Sequence, residues 1–143
     1  MSKAGIDYFS KSTGFYRTPK IRMLRKKYGS EGVLLLEMLE SEAYAEYGYY
    51  LPIEEDEDLI FMICDDLDIE LEMFEKILEF LIERSFFIEI DCDMGRVLTS
   101  QSMQENFFPV ARERARKRSD GIYPVIADIW LLPEKPIYTP KQS

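Results

Sequence analysis

Glu72, Glu75, Glu79 and Glu83 recur at spacings of three and four, so a helix through them carries one acidic stripe, relieved only by Lys76. Phosphate brought against such a stripe is repelled by about 1 kcal/mol per close pair even in a water-like dielectric. The stripe is therefore either an ordinary solvated face or a surface for a basic protein partner. Two basic clusters have the opposite chemistry. Arg112, Arg114, Arg116, Lys117 and Arg118 place five cations within seven residues, and in a helix they surround the axis as segments that follow a phosphate backbone do. They serve equally well as a solubilising helix end whose cations complement the dipole. Lys20, Arg22, Arg25, Lys26 and Lys27 form a second patch, for which the helix-end reading is the stronger because Lys26 and Lys27 close a short helix.

Other reactive types are sparse. The chain has no histidine, which excludes a Ser-His-Asp triad, a Cys-His pair and a His-ligated metal. Cys64 and Cys92 lie 28 positions apart, without CxxC spacing, and so read as free thiols rather than zinc ligands. The run Asp65-Asp66-Leu67-Asp68-Ile69-Glu70 suggests calcium, but it lacks the glycine at loop position six and the bidentate glutamate at position twelve of an EF-hand. These exclusions point to a non-enzymatic protein with no cofactor and no metal. The N-terminus carries no apolar leader, and no apolar run approaches the roughly 20 residues of a membrane span, so the expected location is cytoplasmic.

The charges are segregated along the chain. Residues 1–30 hold eight basic and one acidic side chain, residues 31–93 hold two and 21, and residues 94–143 hold eight and five. The net charge of -9 therefore conceals basic ends around an acidic middle. Such a chain can pair with copies of itself, basic patch against acidic stripe, in a salt-sensitive way.

At 143 residues and 46% apolar composition there is material for one cored domain and a tail. Thr18 and Pro19 begin a short helix in which Ile21, Leu24 and Tyr28 recur at helical spacing before Gly29 stops it. Ser30 can cap a longer helix with Val33, Leu34, Leu36, Met38, Leu39, Ala43 and Tyr44 on its apolar side, ended by Gly48. Tyr49-Tyr50-Leu51 reads as one edge strand that Pro52 keeps from extending. A third helix is expected over about 54–65, its buried side Leu59, Ile60, Ile63 and Cys64, and a fourth over about 70–84, with Leu71, Phe74, Ile77, Leu78, Leu81 and Ile82 on one face. Residues 86–90 and 97–99 read as a β-hairpin around the turn at 91–95. A further helix begins after Thr99 or Ser100, with Pro109 kinking or restarting it. The fold class is thus mainly α: a winged helix-turn-helix with an extra N-terminal helix, a β-hairpin wing and a C-terminal helix over residues 1–118. A Pro-containing tail over 119–143 follows, extended or docking.

Several of these residues together resemble a known family. Lys20-Ile21 with Leu24, Lys27-Tyr28-Gly29, Gly32, the Leu-rich helix, Tyr47-Gly48-Tyr49-Tyr50-Leu51, Phe86-Phe87, and Leu98-Thr99-Ser100 with Gln104 are similar to the prophage replisome-organiser N-terminal domain family. That family is related to the N-terminal winged helix of DnaD-type primosomal proteins. The resemblance covers roughly residues 7–118 and implies a winged helix without catalysis, working in DNA binding, self-association or replisome assembly. Family members often continue into a second, variable region; little chain remains here after Ser119, so nothing housed in such a region is carried over.

The acidic stripe modifies that expectation. It falls on the helix that in a DNA-reading winged helix enters the major groove, and the wing tip Asp91-Cys92-Asp93-Met94-Gly95 is acidic too, with Arg96 its one base. Groove insertion is rejected on that ground, which also weakens a transcriptional repressor. The expectation is a phage replication-initiation accessory protein, a homo-oligomer that meets a replisome or other protein partner through Glu72, Glu75, Glu79 and Glu83. DNA is touched weakly through the basic ends, and no membrane is involved. The alternative is an acidic phage-encoded inhibitor that mimics DNA toward a host DNA-binding enzyme.

Overall fold

The computed structural model describes residues 4–9 and 11–140, with Glu57 described by its backbone alone; the first three residues, read above for a leader, and the last three of the tail lie outside them. The fold is mainly helical, with four α-helices and a small three-stranded antiparallel sheet among the described residues. None of these helices is long and apolar enough to cross a membrane.

Helix α1 spans Pro19–Glu42. Thr18 caps it, its side chain accepting from the Ile21 N–H at 3.4 Å, with Pro19 in the first turn where its missing N–H costs nothing. The two expected helices are joined end to end across a kink at Gly29, whose φ of 69° and ψ of -161° break the helical geometry. Beyond the kink, Leu35, Leu36 and Leu39 face the core. Leu34 was expected there and is instead 48% exposed, because it lies two residues, about 200° of rotation, from Leu36. A π-type turn, Ala43–Tyr47, ends the run where Gly48, at φ 98°, donates to the Ala43 carbonyl.

Strand β1 (Leu51–Pro52) pairs with β3 (Gly95–Thr99), which pairs with β2 (Ile88–Cys92), giving the order β1-β3-β2. β1 ends at Pro52, opposite Val97, as expected, but Tyr49 and Tyr50, expected in the strand, lie before it. The next residue, Ile53, donates to the Arg96 carbonyl at 3.2 Å, which makes the Pro52 position one that needs no ladder donor. The hairpin begins two residues later than the sequence suggested. The N–H groups of Phe86 and Phe87 both reach back to the Leu81 carbonyl, so these two finish the preceding helix instead of opening the strand.

Helix α2 (Glu57–Leu67) starts three residues later than expected, because the N–H groups of Glu55 and Asp56 close a turn onto the Pro52 carbonyl. Helix α3 (Leu71–Glu83) follows after Asp68, which adopts a left-handed backbone at φ 51°. Helix α4 (Gln101–Arg116) is capped by Ser100, whose hydroxyl accepts from the Met103 N–H at 3.1 Å. Pro109 lies within this one helix and does not start a new piece; Pro109 and Glu105 are both exposed, so water can satisfy the Glu105 carbonyl that lost its ladder donor.

The segment after α4 folds back on the domain. Ile129 is fully buried, Trp130 meets Tyr49 edge-on at 5.2 Å, and Ile122 bridges Ile137. One buried side chain fixes this docking. Gln104 donates to the Ile129 carbonyl (2.8 Å) and to Thr99 Oγ1 (3.0 Å), and accepts from the Leu131 N–H (2.7 Å). Thr99 in turn donates to the Tyr49 carbonyl at 2.6 Å, linking sheet, helix and tail. At the other end, Glu40 is largely buried and 3.6 Å from Lys11, and burial, only partly opposed by Lys11, raises its carboxyl above the ordinary 4.5.

Two outcomes are expected. Gln104→Leu strands the Ile129 carbonyl and Leu131 N–H, so urea melts should show a loss of about 2–4 kcal/mol, with faster hydrogen exchange at Leu131; an unchanged midpoint would show that the network holds nothing. Glu40 binds its proton more tightly folded than unfolded, so its contribution to stability declines as pH rises from 4.5 through the raised folded value. Glu40→Gln should therefore raise Tm at neutral pH, the gain closing as the pH falls below 4.5; melts that differ equally at all pH values would contradict this.

Candidate functional site

The helical repeat of α3 sorts its side chains into two faces. Phe74, Ile77, Leu78, Phe80 and Leu81 are buried, and Glu72, Glu75, Glu79 and Glu83 are exposed on the other side. Lys76 pairs with Glu72 at 3.6 Å, one turn away, and both are well exposed, which leaves the stripe acidic.

Beside this stripe lies a feature that the charge pattern alone did not reveal. A cleft of about 720 Å³ opens between α2 and α3, with Ile53, Ile60, Cys64 and Ile69 among its lining residues. At its lip stand Phe61, 73% exposed, and Leu71, 57% exposed; Leu71 had been assigned to the buried face of its helix. Glu54, Asp65, Asp68, Glu70 and Glu75 rim it. The signal for it was available in the run Leu59-Ile60-Phe61-Met62-Ile63, apolar over more than the one stripe a surface helix can bury. Leu59 and Ile63 take the core, which pushes Phe61 and Met62 outward. The Cys64 thiol in this cleft is pushed up by burial and then by Glu70 and Glu75, which disfavours its thiolate. The carboxylates do not converge on an ion: among the described residues no group of three or more metal-ligating side chains is placed to hold one.

The basic patch on α1 divides in two. Lys20 donates to the Ser85 carbonyl at 3.1 Å and lies 4.5 Å from the Phe86 ring centroid, and Lys27 lies 5.1 Å from that of Phe80. Both cations thus stand at the C-terminal end of α3, where its dipole favours positive charge. Arg22, Arg25 and Lys26 are exposed and surround Met23.

The C-terminal cluster divides as well. Arg114 turns inward and clamps the N-terminal segment, donating to the carbonyls of Ala4 (2.9 Å) and Gly5 (2.6 Å). Arg116 pairs with Glu113, and Arg118 with Asp120 at 3.3 Å. Arg112 and Lys117 are exposed, Arg112 lying over the edge of Phe108 at 5.9 Å from its centroid. The arrangement offers an apolar cleft with an acidic rim, and exposed cations on α1 and at the end of α4.

No curated protein and no solved structure matches the chain. A family model, described as Lin1244/Lin1753-like, N-terminal, matches residues 8–103, from the segment before α1 through the sheet to the first turn of α4. The matched span includes the acidic stripe, the cleft and the α1 cations, and stops short of Arg112. The chain belongs to this Lin1244/Lin1753-like N-terminal family, a family of prophage type.

Proposed function

We propose that this is a winged-helix accessory protein of phage or prophage replication initiation, akin to replisome organisers and DnaD-type primosomal domains. It acts without catalysis, by self-association, by contacts with replisome proteins, and by weak DNA binding through its basic ends. The succession of α1, β1, α2, α3 and the β2–β3 hairpin, with β1 beside β3, supports the winged-helix reading, and the prophage-type family supports the setting. The observation that carries the functional reading is the outward face of α3. The element that in a DNA-reading winged helix enters the groove presents Glu72, Glu75, Glu79 and Glu83, while exposed cations lie elsewhere, at Arg22, Arg25, Lys26, Arg112 and Lys117. DNA is therefore a secondary, electrostatic ligand, and protein the main one.

Anisotropy titrations with duplex and single-stranded DNA at low and physiological salt test this. Binding should be weak and fall steeply with salt, and alanine at Arg112, Lys117 and Arg118 together should weaken it by about tenfold. Glu75→Lys with Glu79→Lys should strengthen it. Absence of binding at low salt, together with tight capture of a nuclease, would favour the acidic DNA mimic in its place.

A further inference from the structure

The self-association in the proposed function leaves open which surfaces meet. We infer that the α2–α3 cleft of one copy receives the Arg22, Met23, Arg25 and Lys26 face of α1 from a second copy; the inference rests on that self-association.

The cleft has the chemistry of a helix receptor. Its floor is apolar, Phe61 and Leu71 stand exposed at the lip, and Glu54, Asp65, Asp68, Glu70 and Glu75 surround them with carboxylates. A complementary ligand is a helix that puts an apolar side chain into the floor and cations onto the rim. The first half of α1 is such a helix. Met23 is 44% exposed, a flexible thioether able to fill an irregular hollow. Arg22, Arg25 and Lys26 stand at i, i+3 and i+4 and line one surface hollow together with Met23, which sits at the edge of their stripe, about 200° of rotation from Arg25. The free cations at the end of α4 are poorer ligands, since none of the large apolar side chains of that helix is exposed.

The occupant has to come from another copy. Within one molecule the first half of α1 is fixed along the later turns of α3: Tyr28 donates to the Lys76 carbonyl, Lys27 lies over Phe80, and Lys20 donates to the Ser85 carbonyl. The cleft is built on the first turn of α3, at Leu71 and Glu75. Each molecule thus carries a donor and an acceptor surface at different places, and neither satisfies the other. Contacts of this kind are heterologous, so copies add head to tail, and closure into a ring depends on the rotation between neighbours. The rim charges make the junction sensitive to salt.

The test is complementation between two variants. Met23→Glu with Arg25→Glu removes the donor face, and Phe61→Glu with Leu71→Glu removes the acceptor; all four side chains are exposed, so circular dichroism and Tm should match wild type. Sedimentation velocity at low salt should show wild type forming dimers and longer species that dissociate in about 0.5 M salt. Each variant alone should be at least tenfold weaker in association. An equimolar mixture should form a dimer and go no further, because the intact cleft of one variant meets the intact α1 of the other and no second junction remains. Wild-type assembly that persists in both variants would overturn the inference while leaving self-association standing. A mixture that stays monomeric would also overturn it. Wild type that is monomeric at every salt concentration would remove self-association from the proposed function, and this inference with it.

Discussion

Burying Phe74, Ile77, Leu78, Phe80 and Leu81 of α3 decides where its carboxylates must go. Each of these side chains contributes roughly 1.5–3 kcal/mol on leaving water. The repulsion among exposed glutamates one turn apart is a few tenths of a kcal/mol and is further screened by salt. The apolar term wins by a wide margin, so α3 cannot rotate to ease its charges. Lys20 and Lys27 stand at the C-terminal end of α3 and stay exposed there, Lys20 engaged with the Ser85 carbonyl and Lys27 with the Phe80 ring. The surface chemistry of the protein is thus a consequence of how one helix is buried.

The same economy governs the chain ends. Arg114 is held by two backbone carbonyls of the N-terminal segment, and Gln104 by three groups that belong to β3 and the tail. Both side chains sit on α4, which therefore ties the beginning and the end of the described chain to the sheet. Gly48 is part of this arrangement: a Cβ there would come within 2.7 Å of the Phe107 ring and 3.2 Å of the Ala4 carbonyl oxygen, and its φ of 98° disfavours any other residue. The Tyr49 hydroxyl, which accepts from the Ile126 N–H at 2.9 Å, lies so far inside this junction that burial raises its pKa to about 12.

How far the sequence revealed this depends on whether a residue's role is local. Thr18 with Pro19, Ser100 and the kink glycine act within a few residues, and their positions were legible. So were the apolar faces of α1 and α3, which follow the helical repeat. Phe86 and Phe87 looked like a strand because aromatic pairs favour strands, but both N–H groups go to a helix carbonyl five or six residues back. Arg114 looked like a DNA contact because nothing nearby in the sequence needs it; its partners, Ala4 and Gly5, lie more than a hundred residues away. The acidic stripe was legible as a pattern; of the cleft beside it only the apolar excess over residues 59–63 was, since its lining combines residues from β1's end, α2 and α3 that only the packing brings together.

A net charge of -9 does not by itself forbid DNA contact, and distance is the reason. At physiological ionic strength the Debye length is about 8 Å, so carboxylates farther than that from Arg112 or Lys117 are largely screened from a phosphate placed there. At low ionic strength the screening length grows to about 30 Å, and the acidic middle then acts on the whole approach. Two opposed salt effects follow. Short-range pairing with cations weakens as salt rises, and long-range repulsion by the net charge weakens with it. The first sets how long a complex lasts and the second how often one forms. For an ordinary basic domain both quantities fall with salt; under the DNA contact we propose, the acidic middle would instead hold the association rate down at low salt, and that rate would recover as salt is added.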